Sequence, residues 1–375
     1  MFAKTPSRIL ASLWGTLLLL GTGTANAEYS VNLIRGVTDI SHKVFDLHML
    51  IFWICAVAGI LVFAVLIYSI FTHRKSRGAV AAEFHESTTV EIIWTTIPFL
   101  VLVAMAVPAT TTLLALEDTR DADMSIQVTG YQWKWKYDYL DEDISFFSAL
   151  ATPRDQIDGD APKGENYLAE VDNPLVVPIN KKIRFLITSN DVIHSWWVPA
   201  LGWKQDAVPG FINDGWTELK EPGLYRGKCA ELCGKDHGFM PIVLIAKTQE
   251  DYDAWVEEQK GAAAADADAA NATLTMDELM ARGEKAYNTT CAACHQATGA
   301  GIPGVFPALA GSAIATGEVA GHIDIVVHGK TGTAMQAFGE QLSVLDLAAI
   351  ITYERNAFGN STGDMVQPAD VAAAK

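Results

Sequence analysis

Two apolar runs, approximately Leu47–Phe71 and Ile92–Leu116, constrain this chain more than any other feature of it. Each is long enough to cross a bilayer, which takes about 20 residues in a helix. In lipid a lone segment can satisfy its backbone polar groups only as a helix. The short polar loop between the runs carries Arg74, Lys75 and Arg77. Basic loops stay on the cytoplasmic side, so everything after Leu116 is expected on the outer, periplasmic side. The N-terminus argues for the same topology independently. Lys4 and Arg8, the apolar stretch around Leu13–Leu20 and the small-residue site Ala25-Asn26-Ala27 read as a signal peptide over residues 1–27, cut before Glu28. A third, short membrane helix is the alternative. Residues 28–118 then form a transmembrane helix hairpin.

The 375 residues leave room for two or three domains. A formal charge of -17 opposes nucleic acid and permits a basic protein partner. Of the five cysteines, four form two close pairs, Cys229 with Cys233 and Cys291 with Cys294. Such spacing is more typical of metal, heme or redox chemistry than of a disulfide framework. Cys55 stands alone in an apolar run and reads as a small core residue.

Residues 119–259 change character. Short runs rich in Val, Ile, Tyr and Trp (Ser125–Gly130, Tyr131–Leu140, Leu175–Ile179, Lys182–Ser189, Met240–Ala246) are bounded by Gly, Pro, Asn and Asp, the pattern of an antiparallel sandwich or barrel. The chemistry gathers on two loops: His194 after one strand, and Cys229-Ala-Glu-Leu-Cys233-Gly-Lys-Asp-His237-Gly-Phe-Met240 before the last. Two thiolates, two imidazoles and a thioether are a donor set suited to copper. A mononuclear electron-transfer copper needs one Cys, two His and a weak Met. The second cysteine is surplus to that plan, and two thiolates can instead bridge two coppers with one His for each. A disulfide between Cys229 and Cys233, a tetrahedral zinc on the two Cys and two His, and a copper chaperone of the C-x-x-x-C type are the alternatives. The first two give Met240 no role, and His237 and Met240 argue against the third.

Here a resemblance becomes specific. Asp191-Val-Ile-His194-Ser-Trp196, Gly223-Leu-Tyr225, Cys229 through Met240, Pro241-Ile-Val and Gly130-Tyr-Gln-Trp133-Lys-Trp135-Lys-Tyr137 resemble subunit II of cytochrome c oxidase, with similarity from about Val44 to Trp255. The resemblance implies an all-β cupredoxin-like barrel and a dinuclear CuA centre. Its implied ligands are His194, Cys229, Cys233, His237, Met240 and the carbonyl of Glu231. It further implies that Trp133 is an exposed electron-entry tryptophan, and that the Glu231 side chain binds a magnesium shared with subunit I. Glu91 is implied to lie at the mouth of a proton pathway. Carboxylates at membrane helices are often functional, although a helix start also makes a carboxylate cheap.

Residues 260–272 are Ala-rich with no large apolar side chain and read as a linker, with helix possible within it. Residues 273–375 then form a compact module with a short C-terminal tail. Cys291-Ala-Ala-Cys294-His295 is the c-type heme attachment pattern. Met276–Asn288 and Leu342–Asn356 have helical patterns, and Tyr353 is placed to pack near Gly283 and Tyr287. Pro307 follows the motif by about a dozen residues, and Met335 is positioned as the second axial ligand. His/Met ligation raises a heme's potential, as a donor to copper requires. His322 and His328 are the rival ligands. The module resembles an all-α class I cytochrome c, and its fusion here resembles the caa-type oxidases.

The expected function is therefore electron entry through heme c and CuA into subunit I, where the family implies oxygen reduction coupled to proton pumping. The expected partners are oxidase subunits I and III and a cytochrome c or other c-type donor, at a bacterial inner membrane. A stand-alone membrane-tethered electron carrier is the rival. A quinol oxidase subunit is weaker, because such subunits lack the copper ligands kept here.

Overall fold

The computed structural model describes residues 31–80, 83 and 85–375. The expected signal peptide lies outside them. Two helices come first, α1 (Asp39–Thr72) and α2 (Thr88–Leu116), apolar along their membrane windows and unburied by the rest of the chain. Both start before the apolar runs that signalled them. At α1 the extension is held by a reciprocal capping box between Thr38 and Ser41. The outer ends are tied to the domain that follows. Val37 N–H donates to the Ala200 carbonyl and the Thr38 hydroxyl to the Leu201 carbonyl, both at 2.9 Å. Trp216 Nε1 donates to the Ala115 carbonyl at 3.1 Å.

The next domain is all-β. One sheet has the order β3-β2-β1-β5-β8, from Ile144–Ser148, Lys134–Tyr139, Met124–Tyr131, Ile183–Ser189 and Asn213–Thr217. The other has the order β4-β10-β9-β6-β7, from Leu175–Pro178, Pro241–Lys247, Gly223–Cys229, His194–Trp197 and Lys204–Ala207. The sheets are mixed where antiparallel pairing was expected, since β1 pairs with β5 and β4 with β10 in parallel. Long excursions separate the strands of each parallel pair, and only such a connection lets a strand return in the same direction. Alternate residues of β5 point inward, so Ile183, Phe185 and Ile187 are fully buried. Phe185 stacks on Trp196 at 5.1 Å, and Trp196 meets Trp203 at 5.4 Å. Such aromatic pairs add about 0.5–1.5 kcal/mol each beyond area burial.

Helix α3 (Gln249–Ala269) leaves β10 and buries Tyr252 and Val256 in the same core. It runs on through most of the stretch expected as a linker. Alanine has the best helix propensity, so a helix already anchored by Tyr252 has no reason to stop there.

The C-terminal module is all-α: α4 (Met276–Thr290), α5 (Ala292–His295), α6 (Val319–His328), α7 (Val344–Asn356) and α8 (Pro368–Ala372). Its core joins Leu279, Leu347 and Ile351 to Val366 and Val371, so the C-terminal tail is part of the packing. Helices α4 and α7 cross at Gly283, where a Cβ would lie 2.2 Å from the Ala349 carbonyl oxygen. The rings of Tyr287 and Tyr353 meet at 5.6 Å beside this crossing, the contact read from the sequence. Overpacking a core costs about 1–3 kcal/mol and sometimes more. Gly283→Val is therefore expected to destabilise the module by at least about 3 kcal/mol while the β domain stays folded. Domain-resolved thermal unfolding or proteolysis measures this.

Candidate metal centre

The site begins with the turn between β5 and β6. His194 opens β6 and is wholly buried, a strand position where the sequence reading expected a loop. Its Nε2 lies 2.8 Å from Asp191 Oδ1. A carboxylate can only accept, so the proton sits on Nε2 and the Nδ1 lone pair is free. That Nδ1 faces Cys229 Sγ at 4.0 Å. Burial opposes the imidazolium, but Asp191 and Cys229 outweigh it and raise the affinity of His194 for a proton. Burial likewise works to raise Asp191, and the bonds from His194, Val192 and Gln132 bring its carboxyl below the ordinary range. Strand β1 passes against the imidazole at Gly130, where a Cβ would stand 2.8 Å from His194 Cδ2. The Trp135 ring closes another side edge-on, 5.9 Å away.

The remaining donors lie between β9 and β10. Cys229 ends β9, a turn at His237–Phe239 follows, and Met240 directly precedes β10. Cys229 Sγ and Cys233 Sγ are 3.7 Å apart, and both are free thiols. Cys233 Sγ lies 3.5 Å from His237 Nδ1 and 3.5 Å from Met240 Sδ. The Glu231 carbonyl lies 3.3 Å from Cys229 Sγ, while its side chain is exposed. With metal–nitrogen and metal–sulfur bonds of roughly 2.0 and 2.3 Å, two donors on one tetrahedral metal stand about 3.5–3.8 Å apart. The spacings here are those of donors around metal ions. The ligand atoms of His194, Cys229 and Cys233 all lie within 4.8 Å of one another, and His237 is not part of that cluster.

Electrostatics points the same way. Burial works to raise the Cys229 thiol, yet its contacts with the His194 imidazole and with the backbone at Glu231 and Ser195 bring it down. Burial and the neighbouring Cys229 charge raise Cys233. The pair loses its first proton easily and holds the second, because two bare thiolates this close repel. A bound cation removes that penalty.

Trp133 Nε1 and Gln132 Nε2 both donate to the Cys233 carbonyl, at 3.1 and 2.8 Å. Trp133 is half-buried and packs on the domain core, where the resemblance implied an exposed ring. Glu91 lies in the first turn of α2, at the opposite end of that helix from the Ala115–Trp216 contact. It is not brought to the metal centre.

The C-terminal module holds the second set. Cys291 closes α4, and Cys294 and His295 lie in the single turn of α5. Burial pushes both thiols up, keeping them neutral. His295 Nδ1 lies 2.9 Å from the Pro307 carbonyl, which fixes the proton there and leaves Nε2 free. Met335 packs partly buried against the module's core. The rivals are engaged elsewhere: His322 Nε2 with Glu354 at 2.8 Å, and His328 Nδ1 with Asp324 at 3.0 Å. Sequence reasoning gave Asp191 no role, although an acid three residues before a ligating His was a usable signal. It also missed Gln132, for which the sequence offers none.

Fold and site together define a membrane-anchored protein with a cupredoxin-like domain and a candidate soft-metal centre. Residues 26–111 match the family described as Cytochrome C oxidase subunit II, transmembrane domain, and residues 124–247 match its periplasmic domain. A probable cytochrome c oxidase subunit 2 of Rickettsia bellii (strain RML369-C) is 40% identical over 228 residues, covering 60% of this chain and 83% of that protein. Cytochrome c oxidase subunit 2 of Cereibacter sphaeroides is 34% identical over 268 residues, covering 65% and 88%. The crystal structure of the periplasmic domain of subunit II of cytochrome oxidase of Bradyrhizobium japonicum is 41% identical, covers 38% of this chain and 97% of that one, and has a TM-score of 0.35. The chain belongs to the cytochrome c oxidase subunit II family. It is a multi-pass inner-membrane protein with its β domain in the periplasm and a place in an oxidoreductase complex.

One expectation is overturned. Residues 278–353 match the family Cytochrome C oxidase, cbb3-type, subunit III, so the C-terminal module is not the fused cytochrome of the caa-type oxidases. A Cys-x-x-Cys-His run and a later Met report how a heme is held. They do not distinguish one c-type module from another.

Asp191 acts through His194. Loss of such a partner typically costs 10–100-fold in metal affinity. Asp191→Ala is expected to weaken metal binding at this site by about that factor with the β domain still folded, as read by competitive titration with copper.

Proposed function

We propose that the chain is the electron-entry subunit of a respiratory cytochrome c oxidase. Its dinuclear copper centre is held by His194, Cys229, Cys233, His237, Met240 and the Glu231 carbonyl. Its covalent heme c is held by Cys291, Cys294, His295 and Met335 in a class I cytochrome c-like module. When bound, these groups supply one-electron transfer from a c-type donor toward subunit I, where oxygen is reduced to water with proton pumping.

The observation that carries this reading is the division of the donors. His194 clusters with both sulfurs, whereas His237 stands apart from that cluster and approaches through Cys233. One tetrahedral ion would gather all four donors into a single group. Two ions sharing the sulfurs need one histidine on each side, and Met240 beside Cys233 then has a role. The chain's own residues do the positioning. Asp191 fixes the His194 tautomer, and Trp133 and Gln132 grip the Cys233 carbonyl. The short bonded route from Trp133 to the copper loop supports its role in electron entry. Commitment of His322 and His328 to carboxylates supports Met335 as the heme's second ligand. Glu91 as a proton-pathway residue, and magnesium at the Glu231 carboxylate shared with subunit I, rest on the resemblance alone.

Metal analysis and electron paramagnetic resonance on the purified oxidase test the reading. Two coppers at this centre, with one unpaired spin split by both nuclei, are expected. A single localised copper, or zinc in its place, sinks the dinuclear assignment.

A further inference from the structure

The Trp133 face of the copper domain is occupied by the chain's own C-terminal module. Lys134 extends its ammonium between two rings, 5.1 Å from Phe147 of its own sheet and 5.1 Å from Phe338 of the module. It also donates to Gln341 Oε1. Burial between the two domains pushes this ammonium down to about 8. From the module, Gln336 donates its Nε2 to the Gln132 carbonyl at 2.8 Å. A carbonyl can only accept, so the amide nitrogen must face it. Gln336 Oε1 is buried with no partner among the described residues, a cost that the docked arrangement bears.

Two further contacts frame the pair. Lys136 Nζ lies 3.4 Å from Glu340 Oε2. Lys235, in the copper loop, lies 5.9 Å from the centre of the Phe306 ring, next to the Pro307 whose carbonyl fixes His295. The loop carrying Met335 and the loop whose Pro307 carbonyl holds His295 therefore both face the β domain.

We propose that Lys134 and Gln336 form an intramolecular clasp that holds the C-terminal module on the Trp133 face. The clasp rests on the electron-entry reading and deepens it. That face is then taken by the module, and an external c-type donor is received by the module instead. Both are positioning residues. Gln336 adjoins Met335, and Gln132 adjoins Trp133, so hydrogen bonds and short covalent steps connect Met335 to the Cys233 carbonyl. Tethering through α3 gives the module a high effective concentration at this face. A few polar contacts therefore suffice to hold it.

The test uses the full chain in the assembled oxidase. A carbodiimide joins contacting amines and carboxylates directly, and mass spectrometry reads the product. A Lys136–Glu340 cross-link is expected in the parent. Each buried hydrogen bond shifts a docking equilibrium by about tenfold, so a Lys134→Ala, Gln336→Ala double variant should lose at least about tenfold in cross-link yield. Electron arrival at copper after photoreduction of the heme should slow by about the same factor, with both redox potentials unmoved. Gln341→Ala removes the partner of Lys134 from the module side without touching β2. It should lower the yield in the same direction if the double variant does not assemble. A parent without the cross-link, or variants with unchanged yield and rate, overturns the clasp. A parent that cross-links but lacks the shared copper spin overturns the electron-entry reading instead.

Discussion

Two buried sulfurs 3.7 Å apart, those of Cys229 and Cys233, set the terms for the rest of the β domain. As thiols they are ordinary small side chains, but as thiolates they repel each other in a medium that screens little. Only positive charge between or beside them makes the doubly ionised state cheap. The fold supplies a frame that does not relax this arrangement. β9 and β10 are paired from Lys228 and Pro241 onward, so the loop joining them is pinned at both ends. The Cys233 carbonyl is gripped twice from the β1–β2 turn. His194 is locked by Asp191, crossed by β1 at Gly130 and flanked by Trp135. A pre-set donor geometry moves little between oxidation states, which is what fast one-electron transfer requires.

The membrane helices serve the same centre by fixing its height. Three hydrogen bonds tie the outer ends of α1 and α2 to the β domain, through Val37, Thr38 and Trp216. The β domain thus sits directly on the outer ends of the spans. The apolar lengths of both helices face outward from the chain, as residues that meet lipid or other membrane subunits do.

Much of this was legible in the sequence because the informative residues lie close together in it. Four candidate side-chain donors fall within Cys229–Met240, and three residues of the heme-attachment pattern within Cys291–His295. The membrane spans were read from apolar length alone, so their polar first turns at Asp39 and Thr88 were missed. Strands such as Lys204–Ala207 and Asn213–Thr217 escaped because they are short and polar and owe their structure to pairing. The parallel pairings of β1 with β5 and β4 with β10 join segments whose relation no local pattern encodes. Gln132 meeting Gln336 is a contact across about two hundred residues, and only the folded chain brings it about. The type of c-type module was also beyond the motif, since heme attachment leaves the same five-residue mark in different families.

The most direct measurement of the central claim is X-ray absorption at the copper edge on the purified oxidase. It reports what stands next to each copper. A copper neighbour within the shell of bridging sulfurs, with one nitrogen for each metal, is expected. A shell of sulfur and nitrogen with no copper–copper scattering would contradict it and leave Cys229 and Cys233 serving a single ion.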